Sequence, residues 1–473
     1  MSGIALGIDI GTTSVKVLAL DRQGTIVDSA SSHHGIQKTT SGVQIDADLW
    51  SVSLLASLRQ LSIDLSTVEA VGFSGNMSSV VLVDEHGESL HPALLLADSR
   101  GADQLAELTD ETVASIVEHT GNLPETVFSL SSLLWFRDNR PDLTARAAAW
   151  VSAKDYLRAQ LTGVLATDPT DAYNSLLLRE GSWNDSLISQ LSLPRRLFPA
   201  ILPSDAVAGT ITAEAAYLTG LPAGIPVATG AGDVAASIAG SGGLPEQSLS
   251  VSLGTSAIVM AAVSDRCLPP AAVGRLTVHP TAEGSLFALG SLLTGGLALN
   301  WVRSLIGSEP IAQVSASTSL DSDLVFLPYL AGTGSPDFIS EAKGTLFGIT
   351  PATAGTEIVA ALIEAIAFDI ADLIDLVGAS NYREIVVSGG GSRIVAWPQV
   401  LADVSGLPVN TLDIPDLSAI GAAVLGWNAA GERVSATSES IRLTPRPEHA
   451  QTWAAHRARY TAARRAALDF YTR

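Results

Sequence analysis

A turn near the N-terminus limits the folds that this chain can adopt. The segment GIDIGTTSVKV, residues 7–17, begins in an apolar strand and continues through a Gly-Thr-Thr-Ser turn. The common phosphate-binding loops lead from a strand into a helix. Here the residues after the turn, Val15 to Asp21, alternate and include β-branched side chains, which predicts a second strand. The sequence therefore predicts a β-hairpin, with Asp9 just before its turn, and neither a P-loop nor a Rossmann motif.

The same order of strand, turn and strand recurs near the middle of the chain. In VSLGTSAIVMA, residues 251–261, Gly254 and Thr255 align with Gly11 and Thr12. So short a match can arise by chance between ordinary hairpins. Its position, just after the loop GSGGLPEQ, favours two α/β halves that each open with a Gly-Thr hairpin and face each other across a cleft.

The length of the chain also supports two domains, because 473 residues exceed what one core usually organises. We place the domains at 1–245 and 246–473. A content of 47% hydrophobic and 16% charged residues is typical of a compact globular enzyme. The Arg- and Ala-rich segment from Gln451 predicts a C-terminal helix, which we expect to dock on the acidic body of the protein and not on a membrane.

Charge and cysteine content exclude several classes of function. The formal net charge of −21 argues against binding to nucleic acid or to anionic membranes, since both need a basic surface. Cys267 is the only cysteine, which excludes an intramolecular disulfide bond and a cysteine-type zinc cluster. No basic and apolar leader opens the chain, and no run approaches the roughly 18 apolar residues of a membrane span. We expect a soluble protein of the cytoplasm.

The two hairpins differ in one residue that matters for chemistry. Backbone N–H groups and hydroxyls of a Gly-Thr-Ser turn can hold phosphate oxygens, so two such turns could clamp a polyphosphate. Asp9 of the first hairpin is replaced by Ser252 in the second. A carboxylate on one side only suits a magnesium ion, which proteins usually hold through one or two acidic groups and water. The alternative is that Asp9 only caps its turn.

Two further glycine segments carry candidate residues. VATGAGDVAAS, residues 227–237, predicts a strand, a tight turn and a helix that begins near Asp233. Local sequence leaves two roles open for Asp233: an N-cap, or the base that takes the proton of an acceptor hydroxyl in phosphoryl transfer. The glycines of SGGGSR, residues 388–393, allow close approach to a flat ligand such as adenine, but fit a simple turn as well.

Taken together and in order, the motifs resemble those of the FGGY carbohydrate kinases, within the actin, hexokinase and heat-shock ATPase superfamily. The resemblance is nearest to the xylulokinase and gluconokinase branches and runs almost end to end. It implies an α/β fold of two duplicated ribonuclease H-like domains of the actin/hexokinase type, with an interdomain cleft. The segments that carry it are GIDIGTTSVKV, VGFSGNMSS, SAKDYLRAQLTG, TGAGDVAAS, SLGTS, FLPYL, GTLFGITPATAGTEIVAALIEAIAF, SGGGSR and DLSAIGAAVLG.

The resemblance implies ATP and Mg²⁺ as cofactors and gives the candidate residues their roles. Asp233 matches the catalytic base, which favours the second of its two roles, and Asp9 and Asp233 are the metal-site candidates. The nucleotide-binding candidates are Gly11, Thr12, Thr13, Lys16, Gly254, Thr255, Gly296, Asn300, Gly391 and Ser392.

Sugar recognition departs from the pattern of relatives. Xylulokinase-like proteins carry Gln-Met-His where this chain has Asn76, Met77 and Ser78. Asp98 and Arg100 match family positions and could bind polyol hydroxyls, and a mutual ion pair is an equal alternative. These five residues and Asp233 form the predicted substrate site.

The predicted function is ATP-dependent phosphorylation of a small sugar or polyol hydroxyl, with a pentulose such as xylulose as the first candidate. Gluconate, a pentitol or another substrate of the family is the alternative acceptor. A non-catalytic nucleotide- or sugar-binding protein of the same fold, or an actin-like assembly protein, is the alternative from another class. We expect no nucleic-acid or membrane partner, and a homodimer is a possible assembly.

Overall fold

The computed structural model describes residues 3–40, 42–317, 322–437 and 440–472. The strands of the first half of the chain are β1 (Ile4–Ile10), β2 (Ser14–Asp21), β3 (Ile26–His33), β4 (Gln37–Lys38), β5 (Val43–Ile45), β6 (Val68–Gly75), β7 (Val81–Val83), β8 (Ala93–Leu94), β9 (Ala149–Val151), β10 (Ala166–Thr167), β11 (Leu178–Arg179), β12 (Ser182–Trp183), β13 (Ala200–Ile201), β14 (Val207–Thr210), β15 (Pro226–Ala228) and β16 (Ala231–Gly232). Its helices are α1 (Asp48–Leu58), α2 (Ala102–Ala106), α3 (Asp110–Thr120), α4 (Ser129–Asn139), α5 (Pro141–Arg146), α6 (Ala153–Thr162), α7 (Pro169–Tyr173), α8 (Asp185–Gln190), α9 (Ala213–Thr219) and α10 (Asp233–Gly240).

The second half of the chain continues this mixture of strands and helices. Its strands are β17 (Ser248–Leu253), β18 (Ala257–Val263), β19 (Thr277–Pro280), β20 (Leu286–Leu292), β21 (Val325–Leu327), β22 (Thr345–Phe347), β23 (Glu384–Ser388), β24 (Val409–Leu412) and β25 (Ser440–Leu443). Its helices are α11 (Gly296–Ile306), α12 (Glu309–Gln313), α13 (Gly355–Val377), α14 (Ala396–Ser405), α15 (Leu417–Ala429) and α16 (Ala450–Tyr471).

The chain divides into two compact units. The N-terminal unit contains Met1–Gly243, His279–Leu286 and Asp416–Thr437, and the C-terminal unit contains Leu244–Val278, Phe287–Pro415 and Ser438–Arg473. The sequence predicts one division at 245/246, whereas the N-terminal unit also contains two segments from the second half of the chain. The functional assignment of the two halves as separate domains stays a prediction.

The main sheet of each unit has the same plan. In the N-terminal unit the order is β14-β15-β6-β1-β2-β3, and in the C-terminal unit the corresponding order is β25-β24-β23-β17-β18-β20. Each centre is an antiparallel hairpin, β1–β2 or β17–β18, whose first strand pairs in parallel with a later strand. The predicted α/β class is confirmed, and the shared order is that expected of duplicated ribonuclease H-like domains.

Small residues let α15 approach the N-terminal sheet closely. A β-carbon added to Gly7 would lie 1.9 Å from the carbonyl oxygen of Ala419, and one added to Gly72 would lie 1.8 Å from that of Ala422. Helix and strands therefore meet backbone to backbone, which only glycine permits at these positions. The other face of the sheet is covered by α1, α6 and α9, with Trp50 and Tyr156 buried among aliphatic side chains.

The C-terminal segment predicted from Gln451 forms the helix α16, which packs against α13, α14 and β21 within its unit. None of the helices in the described ranges has the length and apolar composition that a membrane crossing requires.

Candidate active site

Three strands of the N-terminal sheet end at one edge and bring the candidate residues together. Asp9 on β1 pairs in register with Ser74 on β6, because the two strands run parallel. The short strand β16 also runs parallel to β6, with Gly232 opposite Gly75. The residues that follow these strands, Asn76 and Asp233 among them, therefore share the carboxyl edge of the sheet, where α/β proteins usually bind ligands.

Asp9 is held by two hydroxyl groups. Its Oδ1 accepts a hydrogen bond from Ser74 Oγ at 2.9 Å and its Oδ2 accepts one from Ser418 Oγ at 2.7 Å. Burial raises the pKa of Asp9, and these two hydroxyls oppose that effect. Each carboxylate oxygen keeps acceptor capacity beyond its one serine. A lone carboxylate with spare acceptor capacity fits an ion held largely by water and phosphate. No cluster of three or more potential metal-binding side chains occurs among the described residues.

Asp233 is the first residue of α10, and Gly232 before it is the N-cap. The side chain makes a local bond, since Oδ1 accepts from the backbone N–H of Val234 at 2.9 Å. Asp233 is therefore not the N-cap that local sequence left open. Burial, with a smaller contribution from the charge of Asp9, raises the pKa of Asp233 to about 7. A carboxylate with this pKa can take up a proton near neutral pH.

The first hairpin presents its turn to solvent. Gly11 N–H donates to Ser14 O at 2.9 Å, which closes the turn, and the side chains of Thr12 and Thr13 are exposed. Lys16 forms an ion pair with Asp416, the residue before α15. The four predicted phosphate-binding residues of this hairpin, Gly11, Thr12, Thr13 and Lys16, thus lie together beside Asp9.

The residues after β6 form the predicted sugar-binding loop. Asn76 Nδ2 donates to Ile10 O at 3.1 Å, while its buried Oδ1 has no hydrogen-bond donor in the described part of the chain. Met77 lies against the turn before α10, where a β-carbon added to Gly232 would be 3.0 Å from Met77 Cγ. Ser78 has a φ of 61°, a left-handed conformation that is uncommon for residues other than glycine and clusters at functional sites.

Asp98 and Arg100 form the mutual ion pair that the sequence left as an alternative to sugar contact. Arg100 Nη2 donates to Asp98 Oδ2 at 2.7 Å, and the same oxygen accepts from the backbone N–H of Val43 at 2.8 Å. The guanidinium also lies over the ring of Trp135, 4.7 Å from its centroid. Both side chains thus contact other residues of the chain. A sugar contact for either one stays a prediction.

In the C-terminal unit, the second hairpin meets the start of α11. Gly296 N–H donates to Gly254 O at 2.7 Å, and Leu297 N–H donates to Thr255 O at 2.9 Å. A β-carbon added to Gly296 would lie 2.7 Å from the oxygen of Gly254, so glycine is needed for this approach. Asn300 follows one turn along α11 and is exposed.

The third glycine loop follows β23, beside the second hairpin. Ser392 Oγ donates to Gly389 O at 2.7 Å, and a β-carbon added to Gly391 would lie 2.7 Å from Leu253 Cβ. Since β17 and β23 are parallel neighbours, the nucleotide candidates of this unit come together at one sheet edge. A shared nucleotide for this set and the first hairpin, which lie in different units, stays a prediction.

A buried cluster of charges next to Asp233 was missed by sequence reasoning. Lys154 on α6 is fully buried, and its ammonium lies 2.7 Å from Asp155 and 3.0 Å from both Asp168 and Asp171. Burial alone would lower the pKa of Lys154, but the three carboxylates raise it above its usual range. Burial raises the pKa of Asp171 to about 6, which Lys154 partly opposes. The only signal in the sequence was a lysine and aspartates between apolar residues.

Comparison with known proteins shows the family of the chain. The profile of the FGGY family of carbohydrate kinases matches residues 4–240 with its N-terminal domain and residues 249–430 with its C-terminal domain. The chain belongs to this family. The predicted family and enzyme class of this FGGY kinase, an ATP-dependent carbohydrate kinase, are thereby confirmed.

Proteins similar to this FGGY kinase are named for different substrates. It is 30% identical over 475 residues to the xylulose kinase of Escherichia coli (strain K12), covering 97% of this chain and 98% of that protein. It is 31% identical over 462 residues to the glycerol kinase of Xanthobacter autotrophicus, covering 91% of each. The crystal structure of xylulose kinase from Rhodospirillum rubrum superposes with a TM-score of 0.84 at 26% identity, covering 99% of each chain.

Proposed function

We propose that the FGGY kinase transfers the γ-phosphoryl group of ATP to a hydroxyl group of a small sugar or polyol, with the pentulose xylulose as the first candidate. The observation that carries this proposal is the pair of carboxylates, Asp9 and Asp233, at one edge of the N-terminal sheet. Asp233 has a pKa of about 7 and accepts only a hydrogen bond from its own helix in the described residues.

In the proposed reaction Asp233 is the general base. The acceptor hydroxyl gives its proton to the Asp233 carboxylate while its oxygen bonds to the γ-phosphorus. The bond from that phosphorus to the bridging oxygen breaks, and ADP leaves. Phosphoryl transfer demands mainly such positioning and charge stabilisation.

Magnesium and nucleotide binding are assigned to the remaining candidates. We propose that Asp9 holds the ion through water, with Asp233 as a second carboxylate; when bound, Mg²⁺ offsets the negative charge of the phosphates. The exposed hydroxyls of Thr12 and Thr13 and the ammonium of Lys16 suit phosphate oxygens. The set of Gly254, Thr255, Gly296, Asn300, Gly391 and Ser392 is proposed to bind the rest of the nucleotide.

The names of the relatives rank the candidate acceptors. Two of the relatives are xylulose kinases and one is a glycerol kinase, which supports pentuloses first and polyols second. Gluconate remains an alternative acceptor, and a binding protein without turnover remains the alternative class. A cytoplasmic location and a homodimer stay predictions.

A coupled assay of ADP release over pentuloses, pentitols, hexuloses and gluconate tests the function. We expect sugar-dependent ADP release from the wild-type protein. Asp233→Asn should lower kcat by ~10²–10⁴-fold, as for a lost general base, with ATP binding retained. Turnover by Asp233→Asn within tenfold of wild type would remove this residue from the mechanism, and absence of release with every acceptor would favour the binding-protein alternative.

A further inference from the structure

Asp171 is a buried aspartate on α7 that the mechanism above does not use. Its relative exposure is 2%. The short helix is fixed by its N-cap Asp168, whose side chain accepts from the backbone N–H groups of Thr170 at 3.0 Å and Asp171 at 3.3 Å. The N-cap of α7 therefore fixes the position and orientation of the Asp171 backbone.

The carboxylate of Asp171 is short of hydrogen-bond donors. Its Oδ2 lies 3.0 Å from the ammonium of Lys154, and a side-chain hydrogen bond with Ser152 lowers the pKa of Asp171. The buried Oδ1 has no further donor at hydrogen-bond geometry within the described residues. Asp168 touches the same ammonium and is satisfied, because its Oδ2 accepts from Thr170 Oγ1 at 2.8 Å and Ser204 Oγ at 2.7 Å. A buried polar group without donors is costly and is rare in native proteins.

The unsatisfied carboxylate points at the start of the candidate active site. A β-carbon added to Gly232 would lie 3.7 Å from Asp171 Oδ1, 3.5 Å from Thr170 Oγ1 and 3.0 Å from Met77 Cγ. Gly232 immediately precedes Asp233, so Asp171 and Met77 pack closely against the turn that leads into Asp233. The buried Oδ1 of Asn76 is likewise without a donor in the described chain.

We propose that Asp171 is a substrate-binding residue, which accepts hydrogen bonds from hydroxyl groups of a neutral polyhydroxylated acceptor and discriminates against aldonates. The inference rests on the proposed function and narrows its acceptor to ketoses and polyols. Hydroxyl groups supply the donors that Asp171 and Asn76 lack. A carboxylate ligand supplies only acceptors.

The charge of the site supports the same choice. Asp155, Asp168 and Asp171 share two cations, Lys154 and Arg158, which leaves one negative charge in the buried cluster. Asp9 and Asp233 lie at the adjacent sheet edge, where the proposed Mg²⁺ would offset their charge and would leave that of the buried cluster. An aldonate would bring a further negative charge next to this cluster, and like charges repel.

The test compares Asp171→Asn with the matched variant Asp155→Asn, at a buried aspartate of α6 that touches Lys154 but does not cap α7. Both replace a buried carboxylate that touches Lys154, but only Asp171 is proposed to contact the acceptor. For Asp171→Asn we expect the KM for D-xylulose, or for the neutral acceptor that the wild type uses best, to rise roughly 10- to 100-fold. The KM for ATP should stay within about twofold, and the preference for that acceptor over D-gluconate should shrink. Asp155→Asn should lower the melting temperature and leave the acceptor KM within about threefold.

Three results would overturn the inference. They are an acceptor KM unchanged in folded Asp171→Asn, an equal rise in both variants, or a wild-type enzyme that phosphorylates D-gluconate better than any neutral acceptor. If Asp171→Asn does not fold, calorimetric titration of the wild type decides, since gluconate binding as tight as that of D-xylulose contradicts the proposal. Each of these leaves sugar phosphorylation itself intact, whereas a wild type inactive on all acceptors defeats the proposed function.

Discussion

Lys154 shows how one side chain can determine the charge of an active site. Its ammonium is buried and touches three aspartates, one of which lies beside the turn that precedes Asp233. Arg158, also buried, neutralises Asp155 and donates to the carbonyl oxygens of Thr229 and Ala166. Two cations therefore keep three carboxylates inside the fold at the edge of the candidate active site.

Removing the Lys154 charge should destabilise the protein strongly. Lys154→Met keeps most of the length of the side chain but leaves three buried carboxylates with a single cation. Breaking such a buried network costs about 3–5 kcal/mol. We expect the free energy of unfolding in urea to fall by this amount. Lys343→Met, at an exposed lysine, is the control and should change it by less than about 0.5 kcal/mol. Equal stability of the two variants would contradict this account of the cluster.

At the scale of elements, α15 determines how the active-site strands are supported. It lies on β1 and β6 through Gly7 and Gly72, and on α10 through Gly421. The same helix begins just after Asp416, the partner of Lys16, and supplies Ser418, which donates to Asp9. The helix therefore packs on β1 at Gly7 and also orients Asp9 of the same strand through Ser418.

A methyl group at the crossing of α15 and α10 should disturb this support. In Gly421→Ala the new β-carbon would lie 1.7 Å from the carbonyl oxygen of Ala236, so one of the two backbones must move. Overpacking of this kind typically costs about 1–3 kcal/mol, and more where backbone is involved. Thermal unfolding should show a lowered melting temperature for Gly421→Ala. In the control Gly35→Ala the added carbon meets nothing within 4 Å, so its melting temperature should equal that of the wild type. If both variants changed the melting temperature equally, helix propensity or chain entropy, and not the contact with Ala236, would be responsible.

At the scale of the whole molecule, stability depends on pH through a buried carboxylate of the C-terminal unit. Asp369 on α13 accepts a hydrogen bond from Tyr460 Oη at 2.9 Å and lies 3.4 Å from Arg464 on α16. Burial raises the pKa of Asp369 to about 7, although Arg464 opposes this. The native state therefore binds a proton at Asp369 over a pH range in which the unfolded chain has lost it.

The sign of the effect follows from proton linkage. Between the ordinary aspartate pKa near 4 and the native value near 7, the native state holds more protons, so the free energy of unfolding should fall as pH rises, by up to about 4 kcal/mol. Asp369→Asn keeps the acceptor for Tyr460 and removes the titration. Melting temperatures at pH 5 and pH 7.5 should differ less for Asp369→Asn than for wild type. Asp323→Asn, at an exposed aspartate, should retain the wild-type difference, and an undiminished difference in Asp369→Asn would contradict the assignment.

Much of the molecule was determined by local patterns in the sequence. Alternation around a Gly-Thr-Thr-Ser turn specifies the hairpin β1–β2, and the recurrence at residues 251–261 specifies β17–β18, because strand period and turn chemistry are properties of adjacent residues. Asp9 and Asp233 could be found for the same reason, since each stands at the end of a recognisable strand or turn. Only tertiary structure decided which polar residues are buried and paired. Lys154 and Asp171 have the sequence pattern of an ordinary solvated helix, and Ser418 reaches Asp9 across more than 400 residues. Such pairings depend on long-range packing and on the loss of water around each charge, which no short stretch of sequence contains.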